Sequence, residues 1–108
     1  KLAKQYAELE KADQVDFYNG LEGYYSVLGH NKKQEAIAVL IEKNDHKIYV
    51  YQLDKGISQD KAATISREKG ASDIDKITFG RYQDKPIWEV KSGNQYYLVD
   101  FETGAVIQ

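Results

Sequence analysis

Hydrophobic and polar residues alternate along most of this chain, as they do in antiparallel β-strands that bury one face. Gly, Asn and Asp lie between the alternating runs and mark turns. The pattern predicts strands at residues 24–28, 35–42, 47–53, 76–81, 87–91 and 96–101, and a short terminal strand at 105–107. Residues 15–18 form either another short strand or a connection.

Two other stretches have the spacing of amphipathic helices. Residues 2–12 place apolar side chains at positions i, i+4 and i+7, namely Leu2, Tyr6 and Leu9. In the second stretch Ser58 is a good N-cap and Gly70 is a suitable C′ residue. We therefore predict one helix over 2–12 and another that runs from Ser58 to Gly70.

The second half of the chain repeats the first. Residues 46–56 (HKIYVYQLDKG) align without a gap on residues 94–104 (NQYYLVDFETG), and shorter correspondences extend upstream. A repeat of about fifty residues indicates two copies of one supersecondary unit. We predict an α+β fold with two tandem units, 1–56 and 57–108, each a helix packed on an antiparallel sheet of roughly three to four strands. Such small units bury too little apolar surface to be stable alone, so the two should share an interface.

Strand alternation also predicts which side chains form the core. Under the second helix we expect Trp88, Val90, Tyr97, Val99 and Phe101. The repeat carries this pattern to the first half, where Ala38, Leu40, Tyr49, Tyr51 and Leu53 should lie under the first helix. The opposite face of the first sheet is then formed by Ile37, Val39, Ile41, Ile48 and Val50. That face is too apolar for free exposure, so the other half or a partner should cover it.

Nine tyrosines in 108 residues suggest a second feature of a contact surface. The doublets Tyr24-Tyr25 and Tyr96-Tyr97 must each point one ring to either side of a sheet. Tyrosine is enriched at interfaces, but it also simply favours strands. Both interpretations stay open for Tyr24 and Tyr96, which we add to the apolar face as predicted partner-surface residues, whereas Tyr97 is expected in the core.

Charge and composition exclude several classes of function. The net charge of −2 provides no electrostatic basis for binding nucleic acid. The absence of cysteine is compatible with an extracytoplasmic or a cytosolic protein. No apolar run approaches the length that is needed to span a bilayer.

Candidate catalytic and metal-binding groups are dispersed. The closest carboxylate pairs are Asp13 with Asp16, Asp73 with Asp75 and Asp100 with Glu102, all at ordinary solvated positions. His30 and His46 lie in predicted turns without further metal ligands nearby in sequence. We predict no catalytic residues, no cofactor and no metal site; an enzyme remains an alternative if a deep pocket holds a buried carboxylate.

The second half resembles a PepSY domain, in the strand 87–90 (IWEV) and above all in the closing segment 99–107 (VDFETGAVI). The whole chain is similar to the extracytoplasmic region of the TseB-like (YpmB-like) family of cell wall elongation regulators. The residues that carry this resemblance are Asp13-Gln14-Val15, the strand at Tyr24-Tyr25, and the segment 56–63 (GISQDKAA).

Membership in that family would imply a cystatin-like fold and an N-terminal membrane anchor that this chain lacks, with this region outside the cell. It would also imply a non-enzymatic role in contact with an envelope protein, namely an elongation transpeptidase of the penicillin-binding class. The PepSY resemblance allows an alternative, a protease inhibitor or chaperone module.

Overall fold

The computed structural model describes residues 9–107, which form seven strands and one α-helix. The elements are β1 (Leu9–Asn19), β2 (Gly23–Asn31), β3 (Ala36–Glu42), β4 (Ile48–Gln52), α1 (Gln59–Glu68), β5 (Lys76–Tyr82), β6 (Lys85–Ser92) and β7 (Gln95–Asp100). Strands β1-β2-β3-β4 form one sheet and β5-β6-β7 a second, and all neighbours are antiparallel. The α+β class predicted from the sequence is confirmed.

Helix α1 begins and ends as its sequence predicts. The Ser58 hydroxyl accepts a hydrogen bond of 3.0 Å from the Lys61 amide, which satisfies one of the free donors of the first turn. At the other end Gly70 has a φ of +115°, and the Gly70 and Ala71 amides donate to the carbonyls of Arg67 and Ser66. This pair of bonds is the Schellman motif, which needs the left-handed conformation that glycine adopts without strain.

The predicted helix over 2–12 is wrong at its C-terminal end, because residues 9–12 belong to β1. Its other residues lie outside the described range. Strand β1 pairs with β2 from Leu9 opposite Asn31 to Asn19 opposite Gly23, with irregularities between Leu9 and Lys11 and between Ala12 and Gln14. Bulges of this kind shift the side-chain alternation, which explains why the strand pattern is not visible in the sequence.

The two three-stranded meanders, β2-β3-β4 and β5-β6-β7, pair in the same register at their aligned positions. In the first, Leu28 is opposite Ala38 and Leu40 opposite Tyr49; in the second, Phe79 is opposite Trp88 and Val90 opposite Tyr97. Within residues 9–107, however, only the second meander has an α-helix of its own; the first is followed by a short 3-10 helix at Leu53–Lys55. The division into tandem units at 1–56 and 57–108 therefore stays a prediction.

The two halves share one hydrophobic core. Its centre is an aromatic cluster with edge-to-face contacts. The centroid of the Phe79 ring lies 4.9 Å from that of Trp88 and 5.2 Å from that of Phe101. The Trp88 indole donates a 3.0 Å hydrogen bond to the Ile57 carbonyl, which ties the entry to α1 to β6. Both halves contribute buried residues to this core, among them Tyr18, Leu28 and Leu40 from the first.

The second-half core prediction is confirmed for Trp88, Val90, Val99 and Phe101, which are buried, and Tyr97 is partly buried against them. In the first half Ala38 and Leu40 are buried, and Tyr49, Tyr51 and Leu53 pack around the same core. These side chains pack into the core that contains α1, and their place under a first helix stays a prediction because most of that helix lies outside the described residues. In the part of the chain that the structure describes, no helix has the length and apolar character that a bilayer crossing requires.

Candidate contact surface and adjoining groove

One face of the first sheet carries two transverse rows of apolar side chains. Cross-strand pairing aligns Val15, Val27, Val39 and Val50 in one row and Phe17, Tyr25, Ile41 and Ile48 in the next. The inner members Val27, Val39 and Ile41 are buried. With Leu9, Ile37 and Ile48 they form a cluster separate from the shared core. We call the two rows together with Ile37 the apolar face.

Three ends of these rows and the inner residue Tyr25 are exposed, whereas the fourth end, Ile48, is partly buried. Val15 is 65% exposed, Phe17 39%, Tyr25 47% and Val50 47%. The Phe17 and Tyr25 rings make an edge-to-face contact with centroids 5.2 Å apart. We call these four side chains the apolar rim.

The sequence prediction placed Ile37, Val39, Ile41, Ile48 and Val50 together, and the register puts all five on the apolar face. The first three are buried, Ile48 is partly buried, and only Val50 is well exposed. Contact with a partner stays a prediction. Sequence reasoning missed Val15 and Phe17 because the bulges of β1 hide the strand that carries them.

Tyr24 was predicted on the partner surface, and this placement is wrong, because the side chain is only 4% exposed. Its ring lies 6.2 Å from that of Tyr49 and 6.4 Å from that of Tyr18, on the core side of the sheet. Tyr25, the next residue, points to the opposite face and is the exposed member of the doublet.

Arg81 lies beside Tyr24 on the core side of the sheet. Its guanidinium lies 3.9 Å from the centre of the Tyr49 ring, and its Nε donates a 3.1 Å hydrogen bond to the Tyr51 hydroxyl. Burial alone would lower the pKa of Arg81, but the neighbouring Tyr24 and Tyr51 hydroxyls outweigh burial and raise that pKa. This cluster connects β5 to β2 and β4, so the tyrosine hydroxyls serve the junction between the sheets.

Tyr96, the last predicted surface residue, is 54% exposed but lies on the second sheet. It borders a groove of ≈ 450 Å³ between the β1 side of the first sheet and the outer face of the second. The lining residues are Phe17, Asn19, Lys76, Thr78, Glu89, Lys91 and Tyr96. A smaller cavity of ≈ 250 Å³ adjoins it and shares Glu89 and Tyr96. Phe17 belongs both to this groove and to the apolar rim.

The groove is lined by charged side chains of both signs. Lys76 and Lys91 are directly opposite each other on β5 and β6, and the Lys76 ammonium lies 3.1 Å from the Asp16 carboxylate. Burial alone would raise the pKa of Asp16, but hydrogen bonds from Gln14 and Lys76 outweigh it and lower that pKa. Burial raises the pKa of Glu89, which the charge of Lys76 offsets only in part.

Tyr18 closes the smaller cavity from the first sheet. Burial, with a smaller contribution from the charge of Glu89, raises the pKa of Tyr18 to about 12, so its hydroxyl stays protonated at neutral pH. The described lining residues place no histidine and no second carboxylate beside Glu89.

The carboxylates singled out from the sequence have structural contacts. The Asp100 side chain accepts hydrogen bonds of 2.8 and 3.0 Å from the Glu102 and Thr103 amides, and Asp75 accepts one of 2.8 Å from the Gly93 amide. These bonds fix turns.

Asp13 lies 2.8 Å from the Nδ1 atom of His30. Among the described residues no three His, Cys, Asp or Glu side chains converge as metal ligands would.

The chain is a small α+β module whose surface carries an exposed apolar rim and an adjoining groove. The family model of the cell wall elongation regulator TseB-like domain matches residues 1–42. The probable cell wall elongation regulator TseB of Bacillus subtilis (strain 168) is 37% identical over 114 aligned residues, which cover 98% of this chain and 70% of that protein. A solved structure, the YpmB protein from Bacillus subtilis, superposes with a TM-score of 0.84 at 34% identity, over 99% of this chain and 89% of that one.

The chain belongs to the TseB-like family of cell wall elongation regulators. The family resemblance read from the sequence is confirmed.

Proposed function

We propose that this chain is a non-enzymatic, extracytoplasmic protein-binding module that regulates cell wall elongation by contacting a transpeptidase of the penicillin-binding class. In this proposal a single membrane helix on the N-terminal side holds the module at the outer surface of the cell membrane. The Bacillus subtilis relative, a probable cell wall elongation regulator, supports the general role.

The observation that carries the proposal is the apolar rim. The solvated face of an antiparallel sheet ordinarily presents polar side chains. Here both outer ends of the rows are apolar, with Val15 and Phe17 on β1 and Val50 on β4. Exposed apolar groups that continue a buried cluster are typical of a surface that a second protein covers.

The test introduces a charge at two rim positions. Tyr25→Lys and Val50→Lys replace side chains that are each 47% exposed, so both variants should keep the fold. Binding to the purified extracellular part of the transpeptidase should weaken at least about tenfold, because a lysine in the contact would have to be desolvated. Calorimetry or surface plasmon resonance measures the affinity, and circular dichroism checks the fold.

Ile107→Lys is the matched control, since Ile107 is 38% exposed and lies outside the rim and the groove. A photo-reactive amino acid at position 25 should also capture the transpeptidase in intact cells, and the same amino acid at position 107 should not. Equal binding by rim and control variants would show that another surface makes the contact.

A further inference from the structure

The groove beside Tyr96 has the size of a small-ligand site. Its volume of ≈ 450 Å³ lies within the range of ligand pockets, which is about 300–1,000 Å³. The rings of Phe17 and Tyr96 line it, and Thr78 and Asn19 add uncharged hydrogen-bonding groups. Three further lining residues, Lys76, Glu89 and Lys91, are charged, so the groove suits a charged ligand better than an apolar one.

Lys91 is the free cation of this groove. Like charges opposite each other on neighbouring strands are unfavourable, yet Lys76 and Lys91 form such a pair. Asp16 compensates Lys76 at 3.1 Å, whereas no carboxylate among residues 9–107 lies within ion-pair distance of Lys91. An anionic group in the groove would therefore find Lys91 available.

Glu89 is the free anion. It lies two residues before Lys91 on β6, so both side chains point into the groove, with Cα atoms about 7 Å apart. The described part of the chain supplies it with neither an ion pair nor a side-chain hydrogen bond. A half-buried carboxylate without a partner costs stability, which is easier to understand if a ligand's cation completes the pair.

We propose that this groove binds a short zwitterionic peptide, with the peptide's carboxylate on Lys91 and its ammonium on Glu89. A simple anion such as phosphate would meet the Glu89 carboxylate, and a neutral sugar would leave both charges uncompensated. A peptide satisfies both and can pack its side chains against Phe17 and Tyr96. The inference goes beyond the proposed function and takes from it only the choice of probe, a peptide of the kind found in bacterial cell walls.

The test titrates the isotope-labelled protein with Nα-acetyl-Lys-D-Ala-D-Ala and follows backbone amide shifts by NMR. Saturable shifts are expected at the amides of Thr78, Lys91 and Tyr96. Two blocked peptides, one acetylated at the lysine ammonium and one amidated at the C-terminus, should each bind about tenfold more weakly, since each loses a charge-assisted hydrogen bond.

Two variants show which side chain binds the carboxylate of the peptide and which binds its ammonium. Lys91→Gln should bind the free acid and the amide equally well, and Glu89→Gln should bind the free and the acetylated ammonium equally well. Lys85→Gln and Glu102→Gln are the matched controls, because they remove the same charges outside the groove. A merely structural role would weaken all peptides alike.

The inference is overturned if no saturable shifts arise at peptide concentrations of about 10 mM, or if the variants retain the preferences of the native protein. It is also overturned if the groove amides respond to the transpeptidase and not to the peptide. Because the titration needs no protein partner, its outcome is independent of the rim test.

Discussion

At the scale of single residues, Glu89 should reduce the stability of the protein at neutral pH. Burial raises its pKa, so its contribution to stability is most favourable below the ordinary pKa of glutamate and is lost as pH rises through the raised value. Glu89→Gln should therefore raise the free energy of unfolding at pH 7. Urea unfolding at pH 7 and near pH 4 measures the difference, which should shrink at the lower pH.

Asp16→Asn should respond in the opposite direction. Hydrogen bonds from Gln14 and Lys76 outweigh burial and lower the pKa of Asp16, so its stabilisation is present above the ordinary aspartate pKa and is lost as pH falls through the lowered one. The variant should be less stable than the native protein at pH 7, and the difference should vanish in acid. If both substitutions changed the stability in the same direction at pH 7, it would be wrong that Asp16 stabilises and Glu89 destabilises the protein at this pH.

At the scale of elements, the contact between β1 and β5 depends on the absence of a side chain at Gly80. A Cβ atom there would lie 2.5 Å from the nearest Tyr18 ring atoms, which is much closer than van der Waals contact allows. Gly80→Ala should therefore destabilise the protein by about 1–3 kcal/mol, because it overfills a packed junction. Thermal or urea unfolding measures the change.

A double-mutant cycle tests the cause. In a Tyr18→Ala background the added methyl group has space, so Gly80→Ala should cost little, whereas in a Tyr18→Phe background the ring remains and the cost should persist. An equal cost in all backgrounds would place the strain in the β5 backbone and not against Tyr18.

The elements that the sequence predicted well are those whose pattern is local. Helix α1 is specified by Ser58 and Gly70, and β3 and β6 by unbroken runs between turns. Strand β1 was not resolved because its bulges interrupt the alternation. For Tyr24 and Tyr25, alternation indicates that the two rings point to opposite faces, but which face is buried depends on packing against residues that are distant in sequence, such as Phe79 and Trp88.

The same limit applies to the candidate surfaces. The apolar residues of β3 and β4 could be assigned to one face because alternation is regular there. The groove could not be foreseen, since it forms where Phe17 and Asn19 of the first sheet meet Lys91 and Tyr96 of the second. Such a site depends on how the sheets pack, and a single sequence carries no local signal for that packing.

At the scale of the whole molecule, the shared core should make folding cooperative across both halves. Tyr18, Tyr24, Leu28 and Leu40 pack into the core with Phe79 and Trp88. Each large buried side chain contributes about 1.5–3 kcal/mol. Four of them together match the entire stability of a typical small domain, about 5–15 kcal/mol. A second unit without the first would therefore lose an amount of stabilising free energy about equal to the whole stability of a small domain.

We accordingly expect residues 57–108 alone to be unfolded, and the complete chain to unfold in one transition. Urea titration followed by Trp88 fluorescence, which reports on β6, and by exchange of β3 amides should give coincident midpoints. If the shared core is all that residues 57–108 lack for folding, mixing them with residues 1–56 should restore the dispersed amide signals of the native protein. A dispersed NMR spectrum and cooperative unfolding of 57–108 alone would instead mean that its helix and meander fold independently. The first sheet would then pack onto a core that is already complete.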